Sequence, residues 1–254
     1  MGFDVVATAY DRFMGQWSRP LAELVVERLD PHRGDRALDV GCGPGVLTAV
    51  LVERLGAEAV AAVDPSAPFV AAASARLPGV DVRRGRAEQL PFPDAHVDLA
   101  VANLVVHFMR EPVGGLGEMA RVTRAGGRVA ATVWDHAGGT GPLATFWTVA
   151  REIDPSVTDE SALAGARQGH LHELVTSAGL EDPVDDLLTV TRRFATFEDW
   201  WAPFELGVGP AGDHVATLSP ADREALRDAL RDRLGDGPFE LGAAAWFVVG
   251  RVAG

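Results

Sequence analysis

The stretch Ala37-Leu-Asp-Val-Gly-Cys-Gly-Pro-Gly45 constrains this chain more than any other feature. A mostly apolar run, Ala37 to Val40, stops at a cluster of glycines, and Val46 to Leu55 resumes at once with helical spacing. That order reads as strand, tight loop and helix. A second apolar run, Ala59 to Val63, ends at Asp64 and completes a strand-loop-helix-strand unit, the building block of a parallel sheet covered by helices.

The alternation continues on both sides. Pro20 to Leu29 is helical, with Leu21, Leu24, Val25 and Leu29 on one face. Ser66 to Arg76 and Gly114 to Thr123 are helical, while Val80 to Arg83, Val97 to Asn103 and Arg128 to Trp134 are strands, the last preceded by a Gly126-Gly127 turn. After Trp134 the pattern changes. Asp135 to Pro142 is a loop, Phe146 to Glu152 and Leu171 to Ala178 are helical, and Val184 to Arg192 and Ala244 to Val252 are late strands. Between those strands lie an aromatic patch, a Gly/Pro loop from Gly207 to Gly212, and a charged amphipathic helix from Pro220 to Leu234. The expectation is an α/β fold: seven strands, mostly parallel, helices on both faces and an inserted helical cap. Residues 1–134 form the core with an N-terminal segment, and residues 135–254 supply the cap and the remaining strands of the same domain, without a linker between them.

Charge narrows the partners. With 36 acidic residues against 23 basic ones, every one an Arg, the net charge is −13, which disfavours binding to a nucleic-acid backbone. The longest apolar run, Leu99 to Met109, is broken by Asn103 and His107 and falls short of the roughly 18 residues of a membrane span. Met1 to Tyr10 lacks the basic and apolar regions of a secretory signal, so a cytoplasmic location without a membrane partner is expected. A single Cys42 excludes an internal disulfide and a multi-cysteine metal site. His170 and His172, two apart on a helix, do not share a face, and no metal is expected.

The glycine loop is a ligand loop. Glycine admits positive φ and close approach to the backbone, and the following helix offers free N–H groups. Asp64, at the end of the second strand, is placed to accept both hydroxyls of a ribose, so the ligand contains a nucleoside. A nicotinamide dinucleotide prefers Gly-x-Gly-x-x-Gly/Ala, but the last position is Val46, and Asp39 crowds a carboxylate toward the pyrophosphate. S-adenosylmethionine presents cations instead, and charge favours it.

Residues 37–45 resemble the first motif of the class I S-adenosylmethionine-dependent methyltransferases, in their small-molecule branch. The resemblance continues through Gly85-Arg-Ala-Glu-Gln-Leu-Pro-Phe-Pro-Asp94, Val97-Asp-Leu-Ala-Val-Ala-Asn103 and Arg121-Val-Thr-Arg-Ala-Gly-Gly-Arg-Val129, and covers Tyr10 to Trp134. It implies a Rossmann-like sheet and methyl transfer to an oxygen, nitrogen or carbon of a small organic acceptor. It also implies roles: Asp39, Gly41 and Gly43 along the methionine part, Asp64 on the ribose, Ala87 and Glu88 beside adenine, and Asn103 by the sulfonium. The Tyr10-Asp-Arg-Phe-Met14 segment is similar to the family's N-terminal lid, with Tyr10 closing over the cofactor. At Arg86 the chain departs from the family, which often carries an Asp there for the adenine amino group. Two other readings stay open: a nicotinamide-dependent oxidoreductase, and a fold relative that binds S-adenosylmethionine without transferring its methyl.

Three residues compete as a base for a protic acceptor. His107 follows the fourth strand, next to Asn103, and the Asp135-His136 pair follows the fifth; both positions lie on the carboxyl edge of the sheet, where such folds bind ligands. Among the three, His107 is preferred for its closeness to Asn103, although a histidine packed against the cofactor or capping a loop is the reading favoured for that ring. Phe146, Trp147, Trp200, Trp201 and Phe204, with Phe197 beside them, either wall an apolar acceptor pocket or pack the cap onto the sheet.

Overall fold

A computed structural model describes residues 14–207 and 209–254. Its elements in chain order are α1 (Gln16–Leu29), β1 (Ala37–Val40), α2 (Val46–Leu55), β2 (Val60–Asp64), α3 (Ala67–Arg76), β3 (Asp81–Arg84), β4 (Val97–Asn103), α4 (Pro112–Val122) and β5 (Thr123–Trp134). The second half contributes α5 (Ala144–Ile153), α6 (His170–Ser177), β6 (Glu181–Phe194), α7 (Phe197–Trp201), α8 (Gly209–Thr217), α9 (Pro220–Leu234) and β7 (Phe239–Arg251).

Every residue of β1 and β2 is buried, as required of strands covered on both faces. The described strands form one seven-stranded sheet in the order β3-β2-β1-β4-β5-β7-β6, with β1 to β5 parallel and β7 antiparallel to both its neighbours. An antiparallel strand between β5 and β6 departs from the 3-2-1-4-5-6 order of dinucleotide-binding sheets. The order reverses between β1 and β4, and the crevice at their carboxyl ends is where an open α/β sheet takes its ligand.

Alternation along the strands sends successive side chains to opposite faces. One face packs Leu99, Trp134 and Phe247 against Leu21 and Leu29 of α1, Leu51 of α2, and the cap aromatics. The other packs Val129, Val133 and Val248 against Leu116 and Met119 of α4 and Leu171 and Val175 of α6. Helices therefore cover both faces. The cap, residues 195–238, leaves at the end of β6 and returns at the start of β7, where Phe194 pairs with Phe239.

Two local expectations are corrected. β5 begins at Thr123 and not at Arg128. Its pairing with β4 jumps from Val97–Thr123 to Leu99–Arg128, so the Gly126-Gly127 turn is a bulge inside the strand. Gly127 is required there, since a Cβ would lie 2.5 Å from Thr123 Cγ2 and 2.8 Å from the Asp98 carbonyl oxygen. The Gly/Pro loop expected from Gly207 to Gly212 is helical from Gly209, because Ala211 and Val215 are buried in the core that the cap shares with the sheet and packing overrides propensity.

Candidate functional site

The loop after β1 is shaped by its own backbone bonds. Gly41 and Cys42 donate their N–H groups to the Val63 carbonyl at 2.8 and 3.0 Å, which folds the loop back over β2. Gly41 sits at φ +75°, and a Cβ there would meet Val105 Cγ1 at 2.5 Å. Gly43, at φ +53°, has nothing within 4 Å of its absent Cβ, so this stretch of backbone faces open space. That space is a cleft lined by Asp39, Gly41, Gly43, Asp64, Ser66, Phe69, Asn103 and Phe108, among others.

Its polar groups are acidic. Asp39 is buried beside α2, and its Oδ2 accepts a hydrogen bond from Thr48 Oγ1 at 2.6 Å. Burial pushes this carboxyl up to about 7; the Thr48 bond works against the shift and nearby Asp64 adds to it. Asp64 Oδ2 accepts from Gly43 N–H at 2.9 Å and Oδ1 from Ser66 N–H at 2.8 Å. Burial raises its pKa as well, opposed by those two bonds. The Cys42 thiol is pushed far upward by burial and by both carboxylates, so it is a packed neutral group and not a nucleophile. No described residue lining the cleft carries a positive charge, and the buried Ser66 hydroxyl has no hydrogen-bond partner. Two inward carboxylates without a cation, an open glycine backbone and an orphaned hydroxyl together suit a ligand with a positive charge and sugar hydroxyls. S-adenosylmethionine fits that description.

The structure brings Asp39, Gly41, Gly43, Asp64 and Asn103 to one cleft. Asn103 Oδ1 accepts from Thr132 Oγ1 at 2.7 Å, which fixes its amide between β4 and β5. Ala87 and Glu88 do not line the cleft. Ala87 packs toward Met109 and Gly115, and Glu88 Oε1 accepts the Arg110 N–H at 2.8 Å while Arg86 lies 3.4 Å from its other oxygen. Tyr10 lies outside the described residues.

The expected base candidates separate. Asp135 takes bonds from Gly138 N–H at 2.9 Å, Thr140 Oγ1 at 2.6 Å and Trp246 Nε1 at 3.0 Å, so it pins the loop after β5. His107 and His136 stand edge to face with ring centroids 6.1 Å apart. Burial, with His136 nearby, pushes the His107 ring down to about 3. Burial likewise holds the His136 ring at about 4, against the pull of Asp159 and Asp135. Phe146, Trp147, Trp200, Trp201 and Phe204 are all buried and none lines the cleft. Phe146 of α5 stacks on Phe204, just after α7, at 4.8 Å, and Phe197 stacks on Trp201 within α7 at 6.3 Å.

Sequence reasoning missed Ser66, Phe69 and Phe108. Ser66 was signalled by its place two residues after the strand-ending Asp64, and Phe108 by its adjacency to His107.

Residues 38–131 match the family model described as a methyltransferase domain. An uncharacterized methyltransferase of Mycobacterium tuberculosis is 31% identical over 198 residues, covering 78% of this chain and 68% of that protein. The trans-aconitate 2-methyltransferase of Rhizobium rhizogenes is 39% identical over 104 residues, which is 41% of this chain and 40% of the relative. Among solved structures, the YcgJ protein of Bacillus subtilis superposes with a TM-score of 0.59 at 18% identity, over 92% of this chain and 99% of that one.

Proposed function

Because the chain belongs to the class I S-adenosylmethionine-dependent methyltransferases, we propose that its methyl goes to an oxygen, nitrogen or carbon of a small organic acceptor at the carboxyl edge of β4 and β5. The observation that carries the reading is the pair of buried carboxylates, Asp39 and Asp64, turned into a cleft to which no described residue brings a cation. When bound, the cofactor supplies an electrophilic methyl group on a sulfonium. Asp39, with its Thr48 bond, holds the positive charge of the methionine part. Asp64, each of whose oxygens already takes one N–H, keeps lone pairs for the ribose hydroxyls. Ser66 Oγ adds a further hydrogen bond, and Phe69 and Phe108 supply apolar walls. Asn103 lies nearest the transfer step, where positioning and exclusion of water contribute much of the rate. A small acceptor agrees with the trans-aconitate enzyme's named substrate, and the match with that relative covers 41% of this chain.

Calorimetric titration with S-adenosylmethionine and with NAD, followed by labelled-methyl transfer to a panel of small acceptors, tests this reading. Binding of the first ligand alone, with label appearing in an organic product, is the expected outcome. Tight NAD binding, or cofactor binding with no transfer to any acceptor, refutes it.

A further inference from the structure

The two edges of the sheet differ. β3, at one side, has only 4 residues, whereas β6, at the other, has 14 and pairs with β7 alone among the described residues. An ordinary strand has about five or six, and a long unpaired edge is a template for another strand. Which residues face outward follows from the ladder. The Asp135 N–H donates to the Ala244 carbonyl, so even-numbered residues of β7 bond toward β5 and odd-numbered ones toward β6. Ala243 and Ala245 stand opposite Val190 and Leu188. The intervening Leu187, Thr189, Thr191 and Arg193 therefore turn both N–H and C=O away from the sheet. Leu187 N–H shows this directly, since it donates to its neighbour's carboxylate, Asp186 Oδ1, at 2.9 Å. The side chains of all four are exposed as well, and Val184 and Leu187 leave 49% and 45% of their surface open.

Charges along this edge say what it fits. Asp185-Asp186 and Arg192-Arg193 lie at equal distances on either side of Thr189. Two identical strands that pair antiparallel match residues of the same parity, because opposed residues either both bond across the ladder or both do not. A two-fold axis at Thr189 sets Asp185 against Arg193 and Asp186 against Arg192, each pair twice, with Leu187 meeting Thr191 and Val184 meeting Phe194. Shifting the axis to Leu188 or Val190 loses every charge pair, and a parallel copy in register lays acid on acid. The regular stretch of β6, from Val184 after the bulge to Phe194, is itself centred on Thr189. The groups are also available. Arg193 has no partner among the described residues, and Asp185 spends only Oδ2, on His172 Nδ1 at 2.6 Å. Asp186 and Arg192 are oriented from α1, by Arg28 at 2.8 Å and Gln16 at 3.3 Å.

We propose that the outer edge of β6 docks a second copy of this chain, the two strands pairing antiparallel about a two-fold axis at Thr189 so that one sheet runs through both molecules. The occupant is a second copy and not an unrelated extended segment, because the charge order the edge calls for is its own order reversed. Such an interface is self-complementary and closed, so assembly stops at two. It also gives partners to the outward N–H and C=O groups and covers Val184 and Leu187.

Sedimentation velocity on the full chain, over a concentration series reaching about 100 μM, tests this, with thermal melts as the control for folding. Wild type should sediment as a dimer. Thr189→Pro removes an N–H at the axis that the β7 ladder does not use, and should weaken the dimer about tenfold or more while the melting temperature holds. Asp185→Arg and Arg193→Asp, each alone, should weaken it by at least as much, since like charges then face each other at two symmetric places. An equimolar mixture of those two variants should dimerise again, because each supplies the charge the other lacks. A wild type that stays monomeric through the series overturns the proposal. So does a dimer that all three variants leave unmoved, or a mixture as monomeric as its components. If Thr189→Pro fails to fold, the two exposed charge reversals and their mixture decide the question by themselves.

Discussion

Asp39 titrates near 7 in the free protein because it is buried, and a cation can be held only by its ionised form. At pH 8 about nine-tenths of the group is ionised and at pH 6 about one-tenth, so cofactor affinity should fall about tenfold between the two, with close to one proton released per ligand bound at pH 6. Stability follows with opposite sign. A carboxyl lifted in the folded state from 3.8 to about 7 favours the fold below its unfolded value and loses that contribution as pH rises through 7. The ionised group then costs the free protein at most about 4 kcal/mol. Asp39→Asn keeps an acceptor for Thr48, and should melt higher than wild type at pH 8 while binding S-adenosylmethionine at least tenfold more weakly, with a flat pH profile. Calorimetry in two buffers of different ionisation enthalpy reads both the affinity and the proton count. Equal wild-type affinity at pH 6 and pH 8, or an Asn variant that binds as tightly as wild type at pH 8, refutes the reasoning.

Gly41→Ala should lower the melting temperature, since its Cβ would collide with Val105, whereas Gly43→Ala should cost only backbone strain of about 1–3 kcal/mol yet weaken cofactor binding, as thermal melts and titrations on both variants will show. Trp201→Ala should destabilise by about 3–5 kcal/mol in urea, because the ring is fully buried, with cofactor affinity of the folded fraction unchanged. Asp135→Ala leaves Gly138 N–H, Thr140 Oγ1 and Trp246 Nε1 without their acceptor. It should cost about 3 kcal/mol or more in denaturant unfolding.

Elements whose apolar pattern and punctuation agree were legible to the residue: β1 between its neighbours and the glycine loop, α2, β4 and α9. The start of β5 was not, because Gly126-Gly127 reads locally as a turn and only the pairing of Thr123 with Val97 makes it a bulge. Within the cleft, Asp39, Gly41, Gly43 and Asp64 were legible because a loop of one strand and the end of the next are brought together by parallel pairing alone. Ser66 and Phe69 reach the same cleft from the connection after β2 and Phe108 from the one after β4, and Glu160 lies 3.7 Å from His136 across the loop after β5. Such contacts depend on tertiary packing that no local spacing encodes. The roles of Ala87 and Glu88 rested on resemblance, and the Glu88 carboxylate accepts the Arg110 backbone N–H.

The pairing of Phe194 with Phe239, whose rings sit 5.6 Å apart, clamps both ends of the cap to adjacent rungs of one antiparallel ladder. Whatever lies between them begins and ends at the same point in space, so its length enters folding only through loop closure, where doubling a connection costs about 0.6 kcal/mol. Residues 195–238 are therefore a transplantable segment. A cap from another chain, spliced at these two phenylalanines and carrying its own apolar face for Trp134 and Phe146, would leave the glycine loop and its two carboxylates as they are.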